Sequence, residues 1–145
     1  MQTLPHHYTV SATGKPEGDV SLSAAKLETI SSAPPAEFGG PGNRWSPESL
    51  LVAAVADCFI LSFRAVASTS KLPWISLDCE VVGKLERSEN ITKFTEFVVT
   101  AKLTVPQETT EEKAHLILEK AEAICLITNS LSGETHLNTV VTKLE

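Results

Sequence analysis

The amino-acid sequence predicts an α+β domain, because helical and strand-like hydrophobic periodicities alternate along the chain. A long apolar run that begins at Pro47 predicts one central helix. Two later runs, within residues 75–105, alternate apolar and polar side chains with the period of a β-strand. The expected element order is βββ-α-ββ-αα-β. Since 145 residues suffice for one hydrophobic core and are few for two, we expect a single domain over residues 1–145.

Short strands are expected before the central helix, within residues 6–13 and 18–32, where small apolar residues alternate with polar ones. The segment from Ala33 to Asn43 contains three prolines and three glycines, so it cannot continue a strand or a helix. We expect a loop that leads into the central helix and is long enough to reach over a site or a partner.

The central helix, expected over residues 47–68, has clear start signals. Ser46 is a suitable N-cap, Pro47 fits the first helical position, and Glu48 places a negative charge in the first turn. The residues that follow are apolar on nearly every face, which is typical of a helix covered on more than one side. This helix carries Cys58.

Two long strands joined by a turn at residues 87–90 are expected next, as an antiparallel hairpin with one buried face. The buried positions of the two strands are Ile75, Leu77, Cys79, Val81 and Leu85, then Phe97, Val99, Ala101, Leu103 and Val105. The helix over residues 47–68 is the expected cover for this face.

The C-terminal third predicts a second helix, a short third helix and a last strand. Thr109 and Glu112 form a capping box at the start of the second helix. Its expected apolar stripe is Ala114, Ile117, Ala121 and Ile124, and His115 is expected on the solvated face. Cys125 then opens a short helix to about residue 132, and residues 135–144 form the last strand.

Charge and hydropathy exclude several classes of partner. The net charge is −6, and the twelve lysines and arginines are scattered, which disfavours nucleic-acid binding. Asp57 and Arg64 interrupt the longest apolar run, so we expect no membrane-spanning segment. No signal peptide is visible at the N-terminus, and a cytoplasmic protein is therefore expected.

The three cysteines, Cys58, Cys79 and Cys125, fit neither a disulfide-rich scaffold nor a metal-ligand spacing. The four histidines show no such spacing either, so we expect no metal and no cofactor. Each cysteine taken alone is most simply a small core residue. For Cys79, on the buried face of a strand, this is the interpretation that we adopt.

Two stretches nevertheless resemble the OsmC/Ohr family, the osmotically inducible protein C-like and organic hydroperoxide resistance proteins. The matching residues are Ser46-Pro47-Glu48 with Cys58, and Cys125 with Asn129-Ser130-Leu131. The order of elements agrees over most of the chain. The resemblance implies an OsmC-like fold, with antiparallel sheets packed around a long central helix, and an intertwined homodimer.

The resemblance also implies an activity, that of a peroxiredoxin-like antioxidant enzyme of the oxidative stress response. Cys58 would attack an organic hydroperoxide and become a sulfenic acid, and Cys125 would condense with it to give a disulfide. A dithiol, in part of the family a lipoyl protein, would then reduce this disulfide. Neither metal, flavin nor haem is implied.

The family activates its cysteine with an arginine that a glutamate holds. Activation matters because an unperturbed cysteine is only about 3% ionised at pH 7. Of the three arginines, Arg87 lies at the hairpin turn, and Arg64 points to a different side of the helix from Cys58. Arg44 is the best candidate, with Glu48 as its ion-pair partner. The alternative, that both residues only stabilise the helix N-terminus, remains open.

Asp57 argues against activity, because a carboxylate next to the Cys58 sulfur would raise the pKa of the thiol. Trp45 and Phe59 could line a pocket for the organic group of a peroxide. Two alternatives therefore remain. One is a redox-sensing or binding protein of the same fold with little turnover. The other is a structural domain whose cysteines are packing residues, and a Cys58–Cys125 disulfide on mild oxidation would argue against it.

Overall fold

The computed structural model describes residues 1–145 and confirms the α+β class and the element order. The strands and helices are β1 (Ser11–Thr13), β2 (Val20–Ser23), β3 (Ile30–Ser32), α1 (Pro47–Thr69), β4 (Ser76–Ser88), β5 (Ile91–Pro106), α2 (Glu111–Ala123), α3 (Leu126–Asn129) and β6 (Glu134–Leu144). The chain forms two compact units, Met1–Leu50 and Leu51–Glu145, and α1 begins at the end of the first unit.

The first unit contains an antiparallel sheet in the order β1-β2-β3. Its strands are shorter than the alternation of the sequence predicts, since only three residues of β1 pair with β2. The third strand begins only at Ile30. It is preceded by a turn in which Lys26 has a φ of 66° and the Leu27 N–H donates to the Ala24 carbonyl over 3.2 Å.

The start of α1 is capped as the sequence predicts. The Ser49 N–H donates to the Ser46 hydroxyl over 3.1 Å, and the Ser46 N–H donates to the Ser49 hydroxyl over 2.8 Å. This reciprocal pair satisfies two donors that the helix itself cannot. The preceding loop holds a single turn of 3₁₀ helix at Ala36–Phe38, and Gly39 closes it with a φ of 85°.

The second unit is built on a sheet in the order β4-β5-β6. The hairpin of β4 and β5 is confirmed, with a tighter turn than expected. Glu89 and Asn90 both have positive φ, of 52° and 65°, and such a two-residue turn matches the twist of the strands. The pairing of β6 differs from the all-antiparallel expectation, because β6 runs parallel to β5. The two intervening helices supply the crossover that a parallel pair requires.

The core of the second unit lies between the sheet and the helices. The five inward residues of β5, from Phe97 to Val105, are all buried, as the alternation predicts. They pack against α1 and α2, which confirms the central helix as the cover of the hairpin. The buried α1 residues are Val55, Phe59, Phe63 and Ala67. Phe59 is therefore a core residue and not part of a substrate pocket.

Several expectations for α2 were wrong. Thr110 is the N-cap and accepts from the Lys113 N–H, whereas the buried Thr109 donates its hydroxyl to the Pro73 carbonyl over 2.9 Å. The apolar stripe contains Leu118 in place of Ile124, because the helix ends at Ala123 and leaves the Ile124 side chain exposed.

Two further side chains lie where the sequence did not place them. His115 is only partly exposed and hydrogen-bonds the Thr139 hydroxyl of β6 over 2.7 Å, so it is not a purely solvated residue. Ile75, expected on the buried face, precedes β4 and is about half exposed.

The hydropathy of α1 also requires a correction. The helix is long and apolar enough to cross a bilayer by length and composition, with a mean hydropathy of 2.0, despite Asp57 and Arg64. The core helix of a soluble protein passes the same test. Since α1 supplies four side chains to the core of the second unit, its apolar character has a structural cause.

Candidate functional site

The candidate site is the meeting point of α1 and α3 in the second unit, where Cys58 and Cys125 come together. Cys58 lies near the middle of α1 and is partly buried. Its neighbour Phe59 and the preceding Val55 are held in the core, which fixes this part of the helix. The three cysteines are present as free thiols.

Cys125 reaches the site because the chain breaks between α2 and α3. It is the N-cap of α3 and is almost completely buried. Its carbonyl accepts from the Asn129 N–H over 3.0 Å and from the Thr128 hydroxyl over 3.1 Å, which fixes the first turn of α3. The Cys125 thiol and the backbone of Leu126 and Ile127 then lie close enough to the Cys58 sulfur to lower the pKa of its thiol.

The balance of these effects lowers the pKa of Cys58. Burial is the largest single effect and raises the pKa, because it disfavours the charged thiolate. Hydrogen bonds from the Ile127 N–H, the Cys125 thiol, the Ser62 hydroxyl and the Leu126 N–H together outweigh it. Cys58 is therefore the thiol of the pair that ionises first.

The pKa of Cys125 is shifted in the opposite direction. Burial raises it, hydrogen bonds from Thr128 lower it, and the neighbouring Cys58 sulfur raises it again. The start of α3 therefore does not favour a Cys125 thiolate, because burial and the Cys58 sulfur outweigh any effect of the helix end. Cys125 is therefore the thiol of the pair that keeps its proton.

Cys79 lies outside this pair, as the sequence predicts. It is partly buried on β4 and packs against the core. Burial, with a smaller contribution from the Cys125 charge, raises the pKa of Cys79 to about 11. At neutral pH such a thiol is ionised to only about one part in ten thousand, so it is a poor nucleophile.

Arg44 and Glu48, in the first unit, do not form the expected ion pair. Arg44 Nε lies 2.9 Å from Asp19 Oδ2, and both side chains are partly open to solvent. Glu48 Oε1 is buried and has no hydrogen-bond partner. The sequence could not indicate that Arg44 pairs with Asp19 in place of Glu48, because Asp19 lies 25 positions before Arg44.

Asp57 does not act on Cys58 as expected. The carboxylate is exposed, and it is not among the groups that shift the pKa of Cys58. Consecutive helix residues point about 100° apart, which directs Asp57 to solvent and Cys58 to α3. The sequence-based objection to an activated Cys58 is thereby removed.

The sequence analysis missed Ser62, whose hydroxyl oxygen lies 3.8 Å from the Cys58 sulfur. The signal that could have found it is the spacing of four residues, which brings two helix positions onto one face.

Comparison with known proteins agrees with the fold. A family model described as OsmC-like protein matches residues 40–140, which is more than half of the chain. The chain therefore belongs to the OsmC-like protein family. Among individual relatives, the organic hydroperoxide resistance protein of Xanthomonas axonopodis pv. citri is 32% identical over 129 residues, covering 85% of this chain and 84% of the relative. The uncharacterised protein YmaD of Bacillus subtilis is 24% identical over 137 residues, covering 91% of each chain.

Solved structures show the same fold. An OsmC-like protein of unknown function from Vibrio cholerae matches with a TM-score of 0.86 at 18% identity, covering 94% of this chain and all of that one. An organic hydroperoxide resistance protein from Elizabethkingia anophelis matches with a TM-score of 0.74 at 24% identity, covering 99% of this chain and all of that one. At these identities the likeness establishes the OsmC-like fold alone.

The pKa directions predict which thiol reacts first. With iodoacetamide at pH 7, Cys58 should be alkylated on the order of ten times faster than Cys79 or Cys125, because alkylation requires the thiolate. Peptide mass spectrometry over a time course measures the three rates separately. In guanidinium chloride the three rates should become similar. Equal rates in the folded protein, or Cys79 reacting first, would contradict the assignment of Cys58 as the activated thiol.

Proposed function

We propose that the protein is a thiol-dependent peroxidase that reduces organic hydroperoxides to alcohols, with Cys58 as the attacking thiolate and Cys125 as the resolving thiol. The main support is the neighbouring pair of thiols whose pKa values are shifted in opposite directions. Such a pair separates a nucleophile from a proton donor. A relative 32% identical to this chain is named an organic hydroperoxide resistance protein, which supports the choice of substrate.

In the first step the Cys58 thiolate attacks the terminal oxygen of the hydroperoxide. A sulfur–oxygen bond forms and the oxygen–oxygen bond breaks, and its electron pair leaves on the alkoxide. The alkoxide takes up a proton and departs as the alcohol. Sulfur is oxidised to the sulfenic acid, and the peroxide is reduced.

In the second step the Cys125 sulfur attacks the sulfur of the Cys58 sulfenic acid, a sulfur–sulfur bond forms and the sulfur–oxygen bond breaks. The proton lost by the Cys125 thiol goes to the departing hydroxide, which leaves as water. The two thiols are close enough in the reduced protein for each to shift the pKa of the other, which supports their pairing as a disulfide. An external dithiol, such as a lipoyl group, would return both cysteines to thiols by exchange. Such a cycle requires a reducing compartment, which in this proposal is the cytoplasm.

We retain Arg44 and Glu48 as the proposed activating pair. Glu48 Oε1 is buried without a donor, a costly state that a guanidinium would relieve. The bond of Arg44 to Asp19 is an exposed ion pair and is therefore worth little. In the proposed active arrangement Arg44 leaves Asp19 and pairs with Glu48.

We further propose that the protein is a homodimer, since α1 leaves part of its apolar surface uncovered in the single chain. Leu61, for example, is half exposed on this helix. Sedimentation equilibrium should give twice the chain mass of 15.6 kDa, and Leu61→Glu should shift the protein toward monomers. A wild-type protein that stays monomeric at micromolar concentration would contradict this proposal.

Turnover with a hydroperoxide tests the activity. Purified protein should consume cumene hydroperoxide with dihydrolipoamide as the reductant, and Cys58→Ser should abolish consumption because the nucleophile is lost. Cys125→Ser should stop multiple turnovers while leaving a first oxidation of Cys58. Cys79→Ser is the matched control and should retain activity within about twofold, because its thiol takes no part. Arg44→Ala should lower kcat/KM by about 10- to 100-fold.

The outcomes separate the proposal from its alternatives. Stoichiometric oxidation without turnover would instead support the redox-sensing function. An inert wild type whose thiol count does not change on oxidation would mean that the cysteines are packing residues.

A further inference from the structure

Ser62 contacts the sulfur of Cys58, the attacking group of the proposed cycle. It lies four residues after Cys58 on the same face of α1, with its hydroxyl oxygen 3.8 Å from the sulfur. The hydroxyl of a helical serine or threonine often donates a hydrogen bond to the carbonyl four residues earlier, as the Thr69 hydroxyl does to the Ala65 carbonyl over 3.0 Å. The Ser62 hydroxyl hydrogen-bonds the sulfur instead.

We propose that Ser62 is a positioning residue, whose hydroxyl donates to the Cys58 thiolate and holds the sulfur ready for attack on the peroxide. This inference rests on the proposed function, since it takes Cys58 as the attacking thiol. In the neutral pair either group can donate to the other. Once the thiol is ionised only the hydroxyl can donate, and a hydrogen bond to a charged acceptor is roughly twice as strong as a neutral one. The contact therefore favours the thiolate over the thiol.

The surroundings of Cys58 give Ser62 a distinct part in this stabilisation. The other groups that lower the pKa of Cys58 come from the start of α3. They are the backbone N–H groups of Leu126 and Ile127 and the thiol of Cys125. Among them, the Cys125 thiol is the titratable group that faces the sulfur. Asp57, on the same helix, is exposed. In the proposed cycle Cys125 becomes part of the disulfide. Ser62 is thus the side-chain donor that is not chemically changed during the proposed cycle. Its hydrogen bond lowers the pKa of Cys58.

The pH dependence of Cys58 alkylation tests this inference. In Ser62→Ala the rate at pH 7 should fall about threefold to tenfold, because one donor to the thiolate is lost. The plateau at high pH should stay within about twofold of wild type, since every Cys58 is then ionised. The variant should fold, because alanine has a higher helix propensity than serine, and circular dichroism checks this.

Two further variants keep the test specific. Ser62→Thr retains a hydroxyl at the same position and should restore most of the wild-type profile. Ser68→Ala removes an exposed hydroxyl from the same helix and should leave the profile unchanged. If the Ser62→Ala profile coincides with wild type, or falls equally at every pH, Ser62 does not stabilise the thiolate and the inference is overturned.

This test is independent of peroxidase activity. If wild type fails to reduce cumene hydroperoxide but the Ser62→Ala profile still moves to higher pH, the peroxidase proposal fails while the action of Ser62 on the thiolate stands. If turnover is normal and the Ser62→Ala profile does not move, the peroxidase proposal stands while the inference about Ser62 fails.

Discussion

The candidate site depends on the closeness of two thiols, Cys58 and Cys125, because each shifts the pKa of the other. Two thiols in contact cannot easily both ionise, because the second negative charge would lie against the first. The hydrogen-bond donors around the two sulfurs decide which thiol carries the negative charge. The first turn of α3 and Ser62 direct hydrogen bonds at Cys58, whereas Cys125 is almost completely buried. The asymmetry of the pair therefore follows from where each sulfur lies relative to the break between α2 and α3.

This arrangement constrains the fold around it. The break between the helices places Cys125 at an N-cap, and the Thr128 hydroxyl fixes the turn by bonding the Cys125 carbonyl. On the other side, the buried Val55 and Phe59 hold the middle of α1 against β5 and α2. Both sulfurs are thus attached to well-packed backbone, which lowers the entropic cost of bringing them into the geometry of a disulfide.

The sequence was most informative for elements with a hydrophobic periodicity that extends over many residues and whose apolar positions are the buried ones. The alternation along β5 correctly predicted every buried position from Phe97 to Val105, and Ser46 with Pro47 marked the start of α1. It was least informative where a contact joins distant positions. The parallel pairing of β6, the bond between Arg44 and Asp19, and the short strand β1 depend on partners that no local pattern specifies.

For the candidate site too, the sequence predicted some features and not others. The resemblance to the OsmC/Ohr family indicated Cys58 and Cys125, and the structure brings these two thiols together. The electrostatics could not be predicted in the same way. Asp57 is next to Cys58 in sequence but turns to solvent, while Ser62 is four residues away and contacts the sulfur. Proximity along a helix follows its turns, so the nearest charge in sequence is a poor guide to the pKa of a thiol.

The most direct test of the account is the disulfide formed by one equivalent of cumene hydroperoxide. Peptide mapping under non-reducing conditions should find Cys58 joined to Cys125, with Cys79 remaining a free thiol. A disulfide that includes Cys79, or Cys58 oxidised beyond the sulfenic acid while Cys125 stays free, would contradict the proposed roles of the two cysteines.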